Sequence, residues 1–103
     1  FEIPMAAQWA LENADYDGII ALGAVVKGET AHFDYVCKAV TDGCMQVQLE
    51  YVVPIIFGVL TTENYEQATI RASAEGKNKG LYCAQALIDM FREKGFSATF
   101  FFK

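Results

Sequence analysis

The chain has 103 residues, 53% of them hydrophobic and 20% charged, with a net charge of −5. That balance excludes disorder and bounds the chain at one small domain, in a size range where a single core has a thin margin. The acidic excess, with no basic run, argues against a nucleic-acid surface, which needs clustered Lys and Arg, and the longest apolar runs, around Ile19–Val26 and Val52–Leu60, are broken by Gly or Pro and fall well short of a membrane span of ~20 residues.

Taken in order, Phe1-Glu-Ile-Pro4 leads into Ala7, Ala10, Leu11 and Ala14 at helical spacing, and Pro4 suits a first helical turn, where its missing N–H costs nothing. A helix is expected over about residues 4–14. Asn13 to Gly18 is polar turn chemistry, and Ile19–Val26 is a continuous apolar run with β-branched residues, the pattern of a parallel-sheet strand buried on both faces. After the Gly28–Ala31 loop, Val36, Val40, Cys44, Val47 and Tyr51 recur every three or four residues, which predicts an amphipathic helix over about Phe33–Leu49.

Pro54–Leu60 reads as a second buried strand running into Thr61-Thr62. Asn64 with Gln67 three residues on fits an N-cap and capping box, so a short helix is expected from Tyr65 to Ser73. Asn78 can cap a final helix in which Gly80, Ala84, Leu87, Ile88 and Phe91 share a face until Gly95 ends the pattern. The last residues, Phe96–Lys103, hold three consecutive Phe and alternate enough to suggest a short strand or an unrelated end, one that would invite aggregation if exposed. The three cysteines, Cys37, Cys44 and Cys83, have neither Cys-x-x-Cys spacing nor an even count, and read as buried reduced thiols.

The alternation of helix, strand, helix, strand, helix is α/β in class, with right-handed crossovers and helices on both faces of a parallel sheet. Only two core strands are visible, which alone would be marginal.

Chemistry is expected in Gly23–Val36, where a strand end passes through a glycine loop to a helix carrying His32, the only histidine. Backbone N–H groups at such a helix start favour an anion. An imidazole there can give and take protons near neutral pH. From residues alone, His32 fits a surface or capping histidine as well, Arg71 fits surface charge, Phe57 fits core packing, and Ala24, Val25 and Val26 fit plain core strand. A dinucleotide or nucleotide module is poorly supported, since neither Gly-x-Gly-x-x-Gly nor a Walker sequence is present.

Lys27-Gly-Glu-Thr-Ala-His-Phe-Asp-Tyr-Val36 closely resembles the active-site segment of the lumazine synthase family. The resemblance continues through Phe1-Glu-Ile-Pro4, Phe57-Gly-Val-Leu-Thr-Thr62, Glu66-Gln-Ala68, Arg71-Ala72 and Gly76-Lys-Asn-Lys-Gly80, in order and spacing, to about residue 94. It implies a flavodoxin-like three-layer α/β/α fold with a parallel sheet for residues 1–95, followed by a non-family tail at 96–103. The family's first strands and helix precede its Phe-Glu-Ile-Pro motif, so together with a start at Phe1 rather than Met it also implies that N-terminal strands are missing from this chain.

The function implied is a transferase of riboflavin biosynthesis that condenses a ribityl-amino-pyrimidinedione with dihydroxybutanone phosphate, giving dimethyl-ribityl-lumazine with loss of phosphate and water. Neither cofactor nor metal is expected. The resemblance assigns proton transfer to His32, phosphate binding to Arg71, Lys79 and the Glu29–Thr30 loop, with the Glu29 carboxylate turned away, ribityl contacts to Phe1 and Glu2, pyrimidinedione contacts to the backbone of Ala24, Val25 and Val26, and a ring from a neighbouring subunit to Phe57. It further implies a homo-oligomer, a pentamer or a multiple of one, riboflavin synthase as a partner, and a location in the cytoplasm, or in a plastid or another organelle after loss of a transit segment. The alternative is a catalytically inactive fragment or an assembly or binding protein with the same fold.

Overall fold

The structure, a computed structural model, describes residues 1–95. The strand or unrelated end expected at residues 96–103 lies outside the described residues. The elements are α1 (Ile3–Asn13), β1 (Ile19–Val26), α2 (His32–Tyr51), β2 (Ile55–Thr62), α3 (Tyr65–Ala72) and α4 (Lys79–Glu93). β1 and β2 pair in parallel from Ile19↔Ile55 to Val26↔Thr62, so both strands end at the same edge.

Helices cover both faces of this small sheet, the α/β arrangement of a flavodoxin-like fold. Odd-numbered strand residues point towards α1 and α2: Ala21, Ile55 and Val59 form one core with Ala7, Val40, Cys44 and Val47. Even-numbered positions face α4, with Gly58 against Cys83, and Gly18, just ahead of β1, against Leu87 and Phe91. The caps read from the sequence are in place: Asn64 accepts from the Gln67 N–H at 2.8 Å and Asn78 from the Leu81 N–H at 3.3 Å. The return bond of the first box lands one residue early, from the Glu63 N–H to the Gln67 side chain at 2.8 Å.

Four expectations are corrected. β1 is not buried on both faces: Leu22, Gly23 and Ala24 are exposed, with Leu22 at 62%, because β2 is the strand's one partner among the described residues. Gly80 is exposed, the buried residues of α4 being Cys83 and Phe91. Ala14 lies past the end of α1 and is exposed. Cys37 is half-buried, whereas Cys44 and Cys83 are buried, and all three thiols are free. Burial pushes the Cys44 thiol up from its ordinary value, which keeps it protonated and inert at neutral pH.

Close packing of α4 on β2 depends on Gly58. A Cβ there would stand 2.7 Å from a Leu22 methyl, 2.8 Å from the Cys83 sulfur and 2.9 Å from the Ala21 carbonyl oxygen. The last of these is backbone and part of the sheet, so it has little room to move. Gly58→Ala is therefore expected to destabilise the chain by about 1–3 kcal/mol, the usual cost of overpacking. A urea unfolding midpoint that does not fall would contradict this packing.

Candidate active site

The parallel register brings the ends of β1 and β2 together, and the segments that leave them carry most of the polar residues singled out above. β1 passes through Lys27 into the Gly28–Ala31 loop, and α2 then starts at His32. The His32 N–H donates to the Thr30 hydroxyl at 3.3 Å, which satisfies the first donor of the helix. The backbone N–H groups of Gly28, Glu29, Thr30 and Ala31 have no protein partner among the described residues, and those four residues and His32 are all exposed. Free donors at the start of a 20-residue helix suit an anion.

Phe1 and Glu2 lie at the same end of the molecule. Ile3 Cδ1 is 3.2 Å from where a Cβ on Gly23 would sit, which places the start of α1 beside the last residues of β1, where Ala24 is exposed and Val25 and Val26 are half-buried. Phe1 is 70% exposed and Glu2 is exposed. Ala24, Val25, Val26, Glu29, Thr30 and His32 thus follow one another along the end of β1 and the loop that leaves it, and Phe1 and Glu2 stand just ahead of α1.

The remaining candidates form a second group. Phe57, Arg71 and Lys79 line a cleft of about 490 Å³ along the outer edge of β2, together with Thr61, Tyr82 and Cys83. Phe57 is 40% exposed, so core packing leaves part of its ring uncovered. Arg71 lies in the last turn of α3, held only by a 3.4 Å contact from Nη1 to the Gln67 carbonyl, and has no carboxylate partner among the described residues. Lys79 opens α4 with its ammonium 5.3 Å from the centre of the Tyr82 ring, a cation–π contact that aims it along the cleft. Two cations without carboxylate partners, beside an aromatic wall, can hold a phosphate and a flat or apolar group next to it.

Glu75, on the connection between them, is held below the usual carboxylate range by the Ser73 hydroxyl and then by its own backbone N–H. It stays charged at neutral pH but bonds within its own turn. From the sequence, Tyr82 was not singled out and Cys83 was read only as a buried thiol, neither as a site residue. The Lys79–Tyr82 spacing of three on a helix was the available signal for the first; for the second there was none beyond its place on the buried face of α4.

His32 does not line the cleft that holds Arg71. The candidate residues of one chain therefore fall into two half-sites, one with His32 and the loop donors at the end of β1 and one cationic and aromatic on the edge of β2.

Residues 1–94 match the family model described as 6,7-dimethyl-8-ribityllumazine synthase. Curated proteins carrying that name include one from Salinibacter ruber, 52% identical over 90 residues, or 87% of this chain and 58% of the relative. Another, from Pediococcus pentosaceus, is 53% identical over 90 residues with the same shares. A third, from Lactiplantibacillus plantarum, is 53% identical over 89 residues, 86% of this chain and 56% of its own length. The chain thus spans under two thirds of the length of these relatives.

Proposed function

From a chain that belongs to the 6,7-dimethyl-8-ribityllumazine synthase family, we propose the family's condensation as its function, carried out at sites built between neighbouring copies. A ribityl-amino-pyrimidinedione and dihydroxybutanone phosphate would join to dimethyl-ribityl-lumazine, with loss of phosphate and water, as a step of riboflavin biosynthesis.

The observation that carries the proposal is the separation of the candidate residues into two half-sites that one chain does not bring together. Two such halves form a whole site when a head-to-tail interface sets the end of β1 on one copy against the β2 edge of the next, and repetition of that interface closes a ring, a pentamer or a multiple of one. His32 would move the protons of imine formation and ring closure. Arg71 and Lys79 of the neighbouring copy, with the Glu29–Thr30 loop, would hold the phosphate. Phe57 would face the bound heterocycle, Ala24, Val25 and Val26 would meet its polar edge through the backbone, and Phe1 and Glu2 would contact the ribityl chain, the carboxylate accepting from its hydroxyls.

A second surface suits assembly. Tyr35, Met45 and Leu49 on α2 are 51% to 73% exposed, and Val52, just past its end, is 74% exposed. Riboflavin synthase, which would consume the product, is the partner that fits. No helix of the described residues is long and apolar enough to cross a membrane, and the cytoplasm, or the interior of a plastid or another organelle, is the compartment we assign.

The experiment is product formation from the two substrates, first with the 103-residue chain and then with an extended chain that adds the residues of the Salinibacter ruber relative outside the matched stretch. Lumazine formed by the extended chain above the uncatalysed rate supports the proposal. Binding of the pyrimidinedione without turnover would favour a non-catalytic assembly or binding protein.

A further inference from the structure

The Gly28–Ala31 loop has little to hold it. Nothing stands within 4 Å of a Cβ position on Gly28, the four loop N–H groups have no partners among the described residues, and Thr30 bonds only forward to His32. Its position is therefore set by its two ends, α2 on one side and Lys27 on the other. Lys27 is tied twice: its N–H donates to the Thr62 carbonyl at 2.9 Å, one rung beyond the last strand pair, and its Nζ lies 3.6 Å from Glu63 Oε2.

The far side of that contact is well fixed. Thr62 is buried and donates from its hydroxyl to the Asn64 carbonyl at 3.0 Å. Glu63 donates its N–H to the Gln67 side chain at 2.8 Å, and the Gln67 carbonyl accepts from Arg71 at 3.4 Å. A continuous polar chain thus runs from the loop to the arginine of the other half-site. Neither Lys27 nor Glu63 lines the cleft.

We infer that Lys27 and Glu63 are positioning residues, a strut that sets where the Gly28–Ala31 loop leaves the sheet relative to the β2–α3 turn. Its consequence for phosphate binding rests on the loop's role in the proposed condensation. Both side chains are partly exposed, at 46% and 65%, so the pair contributes little to global stability and its loss should be felt locally.

The test uses Lys27→Met, Glu63→Gln, the exchanged pair Lys27→Glu with Glu63→Lys, and the conservative Lys27→Arg. In the 103-residue chain, amide hydrogen exchange at residues 27 and 32, whose N–H groups are bonded to the Thr62 carbonyl and the Thr30 hydroxyl, is expected to quicken about two- to fivefold in each single loss, the size of an exposed ion pair, and to return towards the parent rate in the exchanged pair. Exchange in Lys27→Met equal to the parent, or no recovery in the exchanged pair, overturns the strut. In the extended chain, Lys27→Met should raise KM for the phosphate substrate by a similar factor with kcat and the pyrimidinedione KM unchanged, Lys27→Arg should restore it, and added salt should erase the difference by screening the pair. An equal rise in both KM values would make the effect merely structural and overturn the assignment. If the extended parent chain does not turn over, the proposed condensation fails, and the exchange rates still decide the strut.

Discussion

Arg71→Ala in the extended chain is expected to raise KM for dihydroxybutanone phosphate by about tenfold to a hundredfold, while the pyrimidinedione binds as before. The size follows from hydrogen bonds to a charged group, which contribute about 1.5–3 kcal/mol, each 1.4 kcal/mol being tenfold in affinity. Arg71 has no carboxylate partner among the described residues and only a 3.4 Å contact to the Gln67 carbonyl, so its removal leaves no buried charge and no broken ion pair. Lys79 would remain beside the phosphate, which keeps the loss partial. Steady-state kinetics with each substrate varied in turn separates the two KM values, and an equal loss for both would remove Arg71 from the phosphate site.

His32→Ala is expected to lower kcat without abolishing turnover. General acid–base catalysis contributes typically ~10²–10⁴-fold, and the low end is expected here because the amine and the ketone condense with each other unaided. What remains is positioning by the loop donors and the cationic cleft. The variant should fold as the parent does, since His32 is exposed at the first position of α2 and its side chain makes no hydrogen bond among the described residues. An unchanged kcat would take His32 out of the mechanism.

Much of the fold was legible because local chemistry and the apolar pattern agree. β1 spans the residues its apolar run marked, and Val40, Cys44 and Val47 are the buried stripe of α2. Asn64 and Asn78 cap the helices they precede. The end of α2 was less legible. It runs on to Tyr51 and stops at Val52, which adopts φ 55° and ψ 43°, a left-handed conformation in which a β-branched residue is disfavoured and for which a glycine or asparagine would have been the signal.

Leu22 shows a deeper limit. An apolar run specifies a strand that favours two covered faces, but it cannot say whether the neighbouring strands lie among the same residues, and here Leu22 is left 62% exposed. The candidate site was legible only through the resemblance. Composition and spacing gave a histidine at a helix start and an isolated arginine; nothing in either placed one at the end of β1 and the other in a cleft along β2. That needed the parallel pairing and the course of α3 and α4 along the β2 edge.

Sharing of the site between copies is the claim on which the rest depends, and mixing the two variants tests it most directly. Chains carrying only His32→Ala and chains carrying only Arg71→Ala, unfolded together and reassembled in equal amounts, would form rings in which about a quarter of the head-to-tail interfaces join an intact His32 to an intact Arg71. Activity should rise above that of either variant alone, towards about a quarter of the parent level. If light scattering and mass spectrometry show mixed assemblies and their activity stays at that of the separate variants, each site lies within one chain and the two half-sites do not meet as proposed.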